Sequence, residues 1–312
     1  MHNALKQGRL VMRYNMQYCF MALAAFLCVS AVAQENVPYK QTQNIVYREV
    51  DGVGLVMDVF APKGDKNGLG IVDVASGAWH SDRGKIGDHM KAGFYDVFCE
   101  RGYTVFAVRP GSVTKFTGAE MLQNVKSGVR YVKLHAADYG IAPDKLTIVG
   151  ASAGGHLATL TAVTAEAGKP DAKDPMDRLD TSVKVAAVFF PPTDFLDWGG
   201  KPMDLLKRGE LFVKCPEKAT EEELKEAARK ISPALLVQKG PLPPFLLIHG
   251  DADPMVPLQQ SEKFVQAVKD AGGSAELIVK KGGGHPWLTI RDEVMVMADW
   301  IDVQQGIKEK KQ

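Results

Sequence analysis

Leu146–Leu157 reads LTIVGASAGGHL, and the fold class follows from these twelve residues. Leu146, Ile148 and Val149 form a short apolar run of the kind that makes a buried strand. Gly150-Ala151-Ser152-Ala153-Gly154 follows, and then His156–Val163 with helical spacing. The pattern is strand, G-x-S-x-G, helix. A strand that turns sharply into a helix forces its apex residue into a strained backbone, and side chains two positions either side would clash there. The strain pushes the Ser152 hydroxyl into the open. It also places the Ala153 amide at a helix N-terminus, facing any negative charge that develops nearby. Ser152 is therefore the candidate nucleophile.

Around this stretch the chain alternates. Ile45–Val50 and Leu55–Phe60 predict a hairpin about Asp51-Gly52-Val53-Gly54. Gly70–Ala75, Thr104–Val108, Val183–Phe190, Pro243–His249 and Ala275–Val279 predict further strands. Phe94–Arg101, Ala119–Ala137, Ser261–Ala271 and Asp292–Val303 predict helices. Alternation of this kind implies an α/β fold with a mostly parallel central sheet and helices on both faces. Active sites of such sheets lie beyond the carboxyl ends of the strands. Asp194–Leu242 departs from the alternation: it is long, charged and helical in pattern, and predicts a small insertion before the strand that ends at His249.

A nucleophilic serine needs a base, and the base needs an acid to orient it. His285 follows the last strand in Gly282-Gly283-Gly284-His285-Pro286-Trp287, where three glycines let the backbone swing an imidazole over the sheet edge. His156 lies one turn past Ser152 on a helix leading away from the site, and is structural. His249 shapes the loop that follows it, and His80 and His89 fall in the loop after Gly70–Ala75. The acid lies in His249-Gly250-Asp251-Ala252-Asp253-Pro254-Met255-Val256-Pro257, where Asp251 and Asp253 compete.

These three stretches, Gly150–Gly154, His249–Pro257 and Gly282–His285, resemble the signatures of the α/β-hydrolase family, in its chain order of Ser, Asp and His. The resemblance runs from about Gln43 to Ile301 and is closest to the small bacterial esterase branch, with acetyl-xylan, feruloyl and lipase-like members. Tyr139–Asp144 and Pro191–Asp194 also resemble that branch. Its pattern H-G-x-x-D-x-x-V-P places the acid on Asp253. The branch's H-G-G-G-W oxyanion loop corresponds here to Ala75-Ser76-Gly77-Ala78-Trp79, with only Gly77 and Trp79 matching. An oxyanion hole is made of backbone amides, so Ala153 with Gly77 or Ala78 would form it. Asn124 stands where the branch often carries Asp. The resemblance implies acyl transfer from short esters, acetyl or feruloyl groups of carbohydrates, with no metal and no organic cofactor. A lipase or polyester hydrolase shares this chemistry, as does a peptidase of the prolyl-oligopeptidase type. Trp79, Trp198 and Trp287, on three separate loops, are candidate faces for a sugar ring or aromatic acyl group.

Composition bounds the rest. The 312 residues are 46% apolar and 24% charged, with a net charge of +1. That suits one globular domain and gives no basic face for nucleic acid. Lys6, Arg9 and Arg13 precede the apolar run Cys19–Val32, which ends in Ala31-Val32-Ala33. This pattern predicts a signal peptide over residues 1–33, cut before Gln34, and export to the periplasm or medium. The run is too short for a comfortable membrane span, so none is expected after the signal is removed. Residues 34–312 are then one catalytic domain. Cys99 and Cys215 are expected as separate thiols.

Overall fold

The computed structural model describes residues 37–309; the expected signal peptide, residues 1–33, lies outside the described residues. The strands are β1 (Tyr39–Val50), β2 (Val53–Pro62), β3 (Gly70–Val74), β4 (Thr104–Val108), β5 (Thr147–Ala151), β6 (Val185–Phe189), β7 (Phe245–Gly250) and β8 (Ala275–Lys280). Helices of seven residues or more are α1 (Arg83–Lys91), α2 (Phe94–Glu100), α3 (Gly118–Leu134), α4 (Ala153–Val163), α5 (Glu221–Lys230), α6 (Gln259–Asp270) and α7 (Ile290–Gln304).

The eight strands form one sheet in the order β1-β2-β4-β3-β5-β6-β7-β8. β1 and β2 run antiparallel as a hairpin, and β2 pairs antiparallel with β4. Every pairing from β4 to β8 is parallel. The hairpin closes on Asp51 and Gly52, both at positive φ (51° and 72°), between the paired Val50 and Val53. That is the mirror-image two-residue turn for which Asp-Gly is suited. β3, β4, β6 and β7 are buried along their whole length, because helices cover both faces. α3, α4 and α6 pack on one face, and α2 and α7 on the other. Phe264, Val125 and Leu157 lie in one contiguous core with Val72, Ile148 and Leu247 of the sheet.

Two expected elements differ. Residues 83–91 form helix α1 rather than loop, so His89 sits on a helix. Its two glycines and single buried apolar side chain, Ile86, hide the helical period, although Asp82 caps its start by accepting from the Gly84 amide. Arg83 then ties α1 to the hairpin through the buried Asp58, at 2.7 Å. The predicted helix over Ala119–Ala137 is two pieces, since α3 ends at Leu134 and a short turn of helix ends at Gly140 in the left-handed conformation. Asp194–Leu242 does lie between β6 and β7, but it is mostly short turns, and α5 is its one helix longer than four residues.

The turn after β5 is where steric limits are tightest. A Cβ on Gly150 would lie 2.5 Å from the Gly154 carbonyl carbon, and one on Gly154 would lie 2.1 Å from the Val74 carbonyl oxygen. Neither partner is a side chain that can rotate away. Gly154→Ala should therefore lower the unfolding free energy by ~2 kcal/mol or more. Gly87, inside α1 with open space around its Cα, offers the opposite case. Gly87→Ala should raise stability by about 0.5–1 kcal/mol, and denaturant unfolding of the two variants checks both signs.

Candidate active site

Ser152 stands at the end of β5, at φ 53° and ψ −121°, as the start of α4. A non-glycine residue holds this conformation only when its surroundings impose it. Here the Ser152 amide donates to the Phe189 carbonyl of β6 (3.0 Å), and the Gly154 amide donates to the Ser76 carbonyl after β3 (3.0 Å). The side chain makes no cap bond to its own helix. Instead Ser152 Oγ donates to His285 Nε2 at 2.9 Å, and His285 Nδ1 donates to Asp253 Oδ2 at 2.6 Å. Three residues from the ends of β5, β7 and β8 thus meet in the chain order Ser, Asp, His.

Asp253, rather than Asp251, faces the imidazole. The Asp251 carboxylate turns the other way and accepts from the Gly282 amide at 2.6 Å, bracing the loop that carries His285. The Asp253 side chain is buried, and its second oxygen accepts from the Met255 and Val256 amides at 2.8 and 2.9 Å. Burial by itself would raise its pKa. The bonds from His249, His285 and the two amides outweigh that and hold the carboxyl well below the usual range. His249 shapes this loop as expected: its ring bridges Ser261 Oγ (2.7 Å) and the Val256 carbonyl (2.9 Å). In the His285 loop the glycines act differently from one another. Gly282 takes positive φ, whereas Gly283 allows close approach, since a Cβ on it would lie 3.0 Å from the Gly250 Cα.

The amides near Ser152 Oγ separate the two candidates after β3. The Gly77 amide donates to the His80 carbonyl at 2.9 Å, and His80 returns a bond to the Gly77 carbonyl. Gly77 is therefore not a free donor, which corrects the expectation for that residue. Ala78 is at φ 49° and Trp79 at φ 58°, in a loop that lines the cavity beside Ser152. Ala78 and Ala153 have no backbone acceptor among the described residues.

A cavity of about 610 Å³ opens beside Ser152 and His285. Trp79, Trp198 and Trp287 all border it, so the three loops do converge. Trp79 is the most buried, and its Nε1 donates to His156 Nδ1 at 3.0 Å. His156 Nε2 in turn donates to the Ile231 carbonyl at 2.7 Å. His156 is structural, as its helix position implied, but it is also the clamp on a cavity wall. Trp287 is held by Glu293 at 2.6 Å, and Trp198 lies against Phe195. Phe190, at φ 34°, packs its ring 4.3 Å from that of His285. Among the lining residues without a motif signal in the sequence are Phe190, Lys85, His89 and Arg208. None belongs to a local motif. The hidden helical period of α1 masks two of them, and Arg208 lies in the irregular segment before β7. Among the described residues no group of three or more His, Cys, Asp or Glu side chains is arranged to hold a metal ion. None of the described helices is long and apolar enough to cross a membrane. Cys99 is buried and Cys215 exposed, both as free thiols.

Sheet order, strand ends and site together are those of an α/β-hydrolase. The family model for BD-FAE matches residues 57–268, and the chain belongs to the BD-FAE family. Esterase LipQ of Mycobacterium tuberculosis is 32% identical over 186 residues, which are 60% of this chain and 43% of that protein. Probable carboxylic ester hydrolase LipM of the same organism is 29% identical over 201 residues, 64% of this chain and 44% of that protein. The chain thus spans less than half the length of these two relatives. Among solved structures, a truncated form of a carbohydrate esterase from gut microbiota superposes with a TM-score of 0.71 at 25% identity, covering 87% of this chain and 98% of that one. Propionate-bound esterase 2 of Thermogutta terrifontis has the same fold, with a TM-score of 0.65 at 24% identity over 90% of this chain and 99% of that one.

The clamp on Trp79 has a pH signature. Burial lowers the His156 imidazole from 6.5 to about 4, with the bond to Ile231 opposing the shift. The unfolded chain takes up this proton near pH 6.5, and the folded chain only near pH 4. Stability from this group is therefore complete above about pH 6.5 and falls as the pH is lowered toward 4, by roughly 3 kcal/mol in all. His156→Gln loses the Trp79 clamp and should be less stable than wild type at pH 7. The gap should close by about 3 kcal/mol near pH 4, as read from urea unfolding at both pH values.

Proposed function

We propose that this protein is a serine esterase that hydrolyses carboxylic esters through an acyl-enzyme. The observation that carries the reading is the continuous hydrogen-bonded line from Ser152 through His285 to the buried Asp253, opening on one cavity. His285 takes the hydroxyl proton as Ser152 Oγ attacks the ester carbonyl. Asp253 keeps Nδ1 protonated and steadies the imidazolium that forms. The Ala153 and Ala78 amides receive the oxyanion, Ala153 at the positive end of α4. His285 then returns the proton to the leaving alcohol. Water repeats the sequence on the acyl-serine, releasing the carboxylic acid and restoring the hydroxyl. The names of LipQ, LipM and the gut carbohydrate esterase support ester hydrolysis.

The finer reading is that the substrates are short acyl esters of carbohydrates, acetyl or feruloyl. The three tryptophans around one cavity and the likeness to a carbohydrate esterase support it. A second reading has its own observation. Met255 and Leu288 border the cavity and are exposed, so an apolar rim is present for a longer acyl chain. Wild type and variants assayed on an ester panel distinguish these readings. Ser152→Ala should lose activity by on the order of 10⁶ and Asp253→Asn by on the order of 10⁴, with Asp251→Asn far milder. Near-wild-type turnover by Ser152→Ala would sink the mechanism. For wild type, kcat/KM should fall as the acyl chain lengthens from acetyl, and acetylated or feruloylated saccharides should exceed triglycerides. A steady rise with chain length would favour the lipase reading, and cleavage of peptide amides the peptidase one.

Residues 1–33 are proposed to direct export, which would place the enzyme among extracellular polymers. Mass spectrometry of protein from the native envelope or medium should find an N-terminus at Gln34. A full-length cytoplasmic chain would refute this.

A further inference from the structure

The charged groups around the cavity do not balance. Asp88 lies 3.8 Å from the ammonium groups of both Lys85 and Lys91. Asp73 Oδ2 accepts from His89 Nδ1 and the Tyr95 hydroxyl, at 2.8 and 2.9 Å. These groups pair with one another on the β3–α1 side, with the buried Asp73 Oδ1 left without a partner among the described residues. Arg208 reaches the same cavity from the segment before β7. Its guanidinium lies 5.3 Å from the centre of the Trp79 ring, and among the described residues no carboxylate pairs with it.

The Arg208–Trp79 contact is more than a chance approach of two side chains. Trp79 is buried and clamped through His156 to the Ile231 carbonyl, so the ring is a fixed platform. A guanidinium over an indole is attracted to the ring but keeps its full charge. Its planar N–H fork matches a carboxylate, which can accept two parallel bonds. Trp79 directly follows Ala78, the amide assigned to the oxyanion. Arg208, Trp79 and Ala78 line the same cavity as Ser152 and His285.

We infer that Arg208 is a specificity-determining residue that selects esters carrying a free carboxylate. The inference rests on the ester-hydrolase reading of the same cavity. The carboxylate has two chemical sources, the sugar of an acylated uronic acid or the far end of a dicarboxylic acyl group. Neutral sugars and simple fatty esters lack it.

Two substrate pairs separate these sources. O-acetylated galacturonate against O-acetylated methyl galactoside places the charge on the alcohol side. 4-Nitrophenyl hydrogen adipate against 4-nitrophenyl hexanoate places it on the acyl side. For each pair the ratio of kcat/KM, anionic over neutral, is compared between wild type and variants, so that intrinsic reactivity cancels. Arg208→Gln should lower the ratio about ten-fold in one pair, Arg208→Lys should restore part of it, and Arg208→Glu should lower it further. The wild-type ratio in that pair should also fall as ionic strength rises from about 0.01 to about 1 M. Ratios that Arg208→Gln leaves unchanged in both pairs overturn the inference, while Ser152-dependent hydrolysis of the neutral esters leaves the esterase reading standing. If wild type shows no Ser152-dependent hydrolysis of any of the four, the esterase reading fails and takes the inference with it.

Discussion

Everything at the site depends on how closely two pieces of backbone approach at the end of β5. Gly154 sits against the carbonyl of Val74, with no room for a Cβ, and donates its amide to the carbonyl of Ser76. Gly150 in turn lies against the Gly154 carbonyl, again with no room for a Cβ. This contact brings the start of α4 against the loop after β3. It therefore sets the Ser152 hydroxyl and the Ala153 amide beside Ala78 and Trp79. The positive φ of Ser152 is the local cost, of the order of 1–3 kcal/mol, borne by the sheet and helices around it.

From that point the site is built as successive layers of support. Asp253 orients His285, and is itself held by two backbone amides and by His249, whose ring spans to α6 through Ser261. Asp251 holds the Gly282 amide, so the two aspartates that look interchangeable in sequence do separate jobs. On the other side His156 joins the α4 helix, the Trp79 loop and the segment before β7 in one chain of hydrogen bonds. The His156 and His249 side chains are buried with satisfied hydrogen bonds, whereas the Asp251 bond to Gly282 is exposed. The buried groups hold position because any displacement would leave a polar atom unpaired in a low-dielectric interior. Other parts of the cavity wall are less constrained than Trp79. Arg208 is held by a contact with one ring, and Leu288 and Met255 stand exposed at the rim.

The legible parts of the chain share a property: their geometry is dictated by neighbours in sequence. The G-x-S-x-G turn needs glycine at two positions for steric reasons that operate over five residues. The strands β3 to β7 appear as apolar runs because both of their faces are covered, and Asp51-Gly52 marks a turn whose dihedral angles suit those two residues. Ser152 and His285 can be picked out because each lies just beyond a strand end, whereas Asp253 is separated from Asp251 in sequence only by the family pattern. Helix α1 is not legible, because its buried surface is small and its glycines interrupt the apolar period, with Asp82 the one start signal present. Gly77 looks like an amide donor for the oxyanion because a loop sequence does not say which carbonyl will take which amide. The His80 carbonyl takes this one.

Read as a linear string, the chain already specifies the alternation of strands and helices, the strained serine turn, and Ser152 and His285, with the acid narrowed to Asp251 or Asp253 and placed on Asp253 by the family resemblance. Backbone sterics and the period of apolar side chains act over a few residues, so a linear reading captures them. Packing of the whole fold settles which amides remain free beside Ser152, that His156 clamps Trp79, and that Arg208 comes to rest over the same ring. Those outcomes join residues as far apart as Trp79, His156 and Ile231, or Trp79 and Arg208. Their partners are chosen by how entire elements meet, because a buried donor must find whichever acceptor the fold brings within reach.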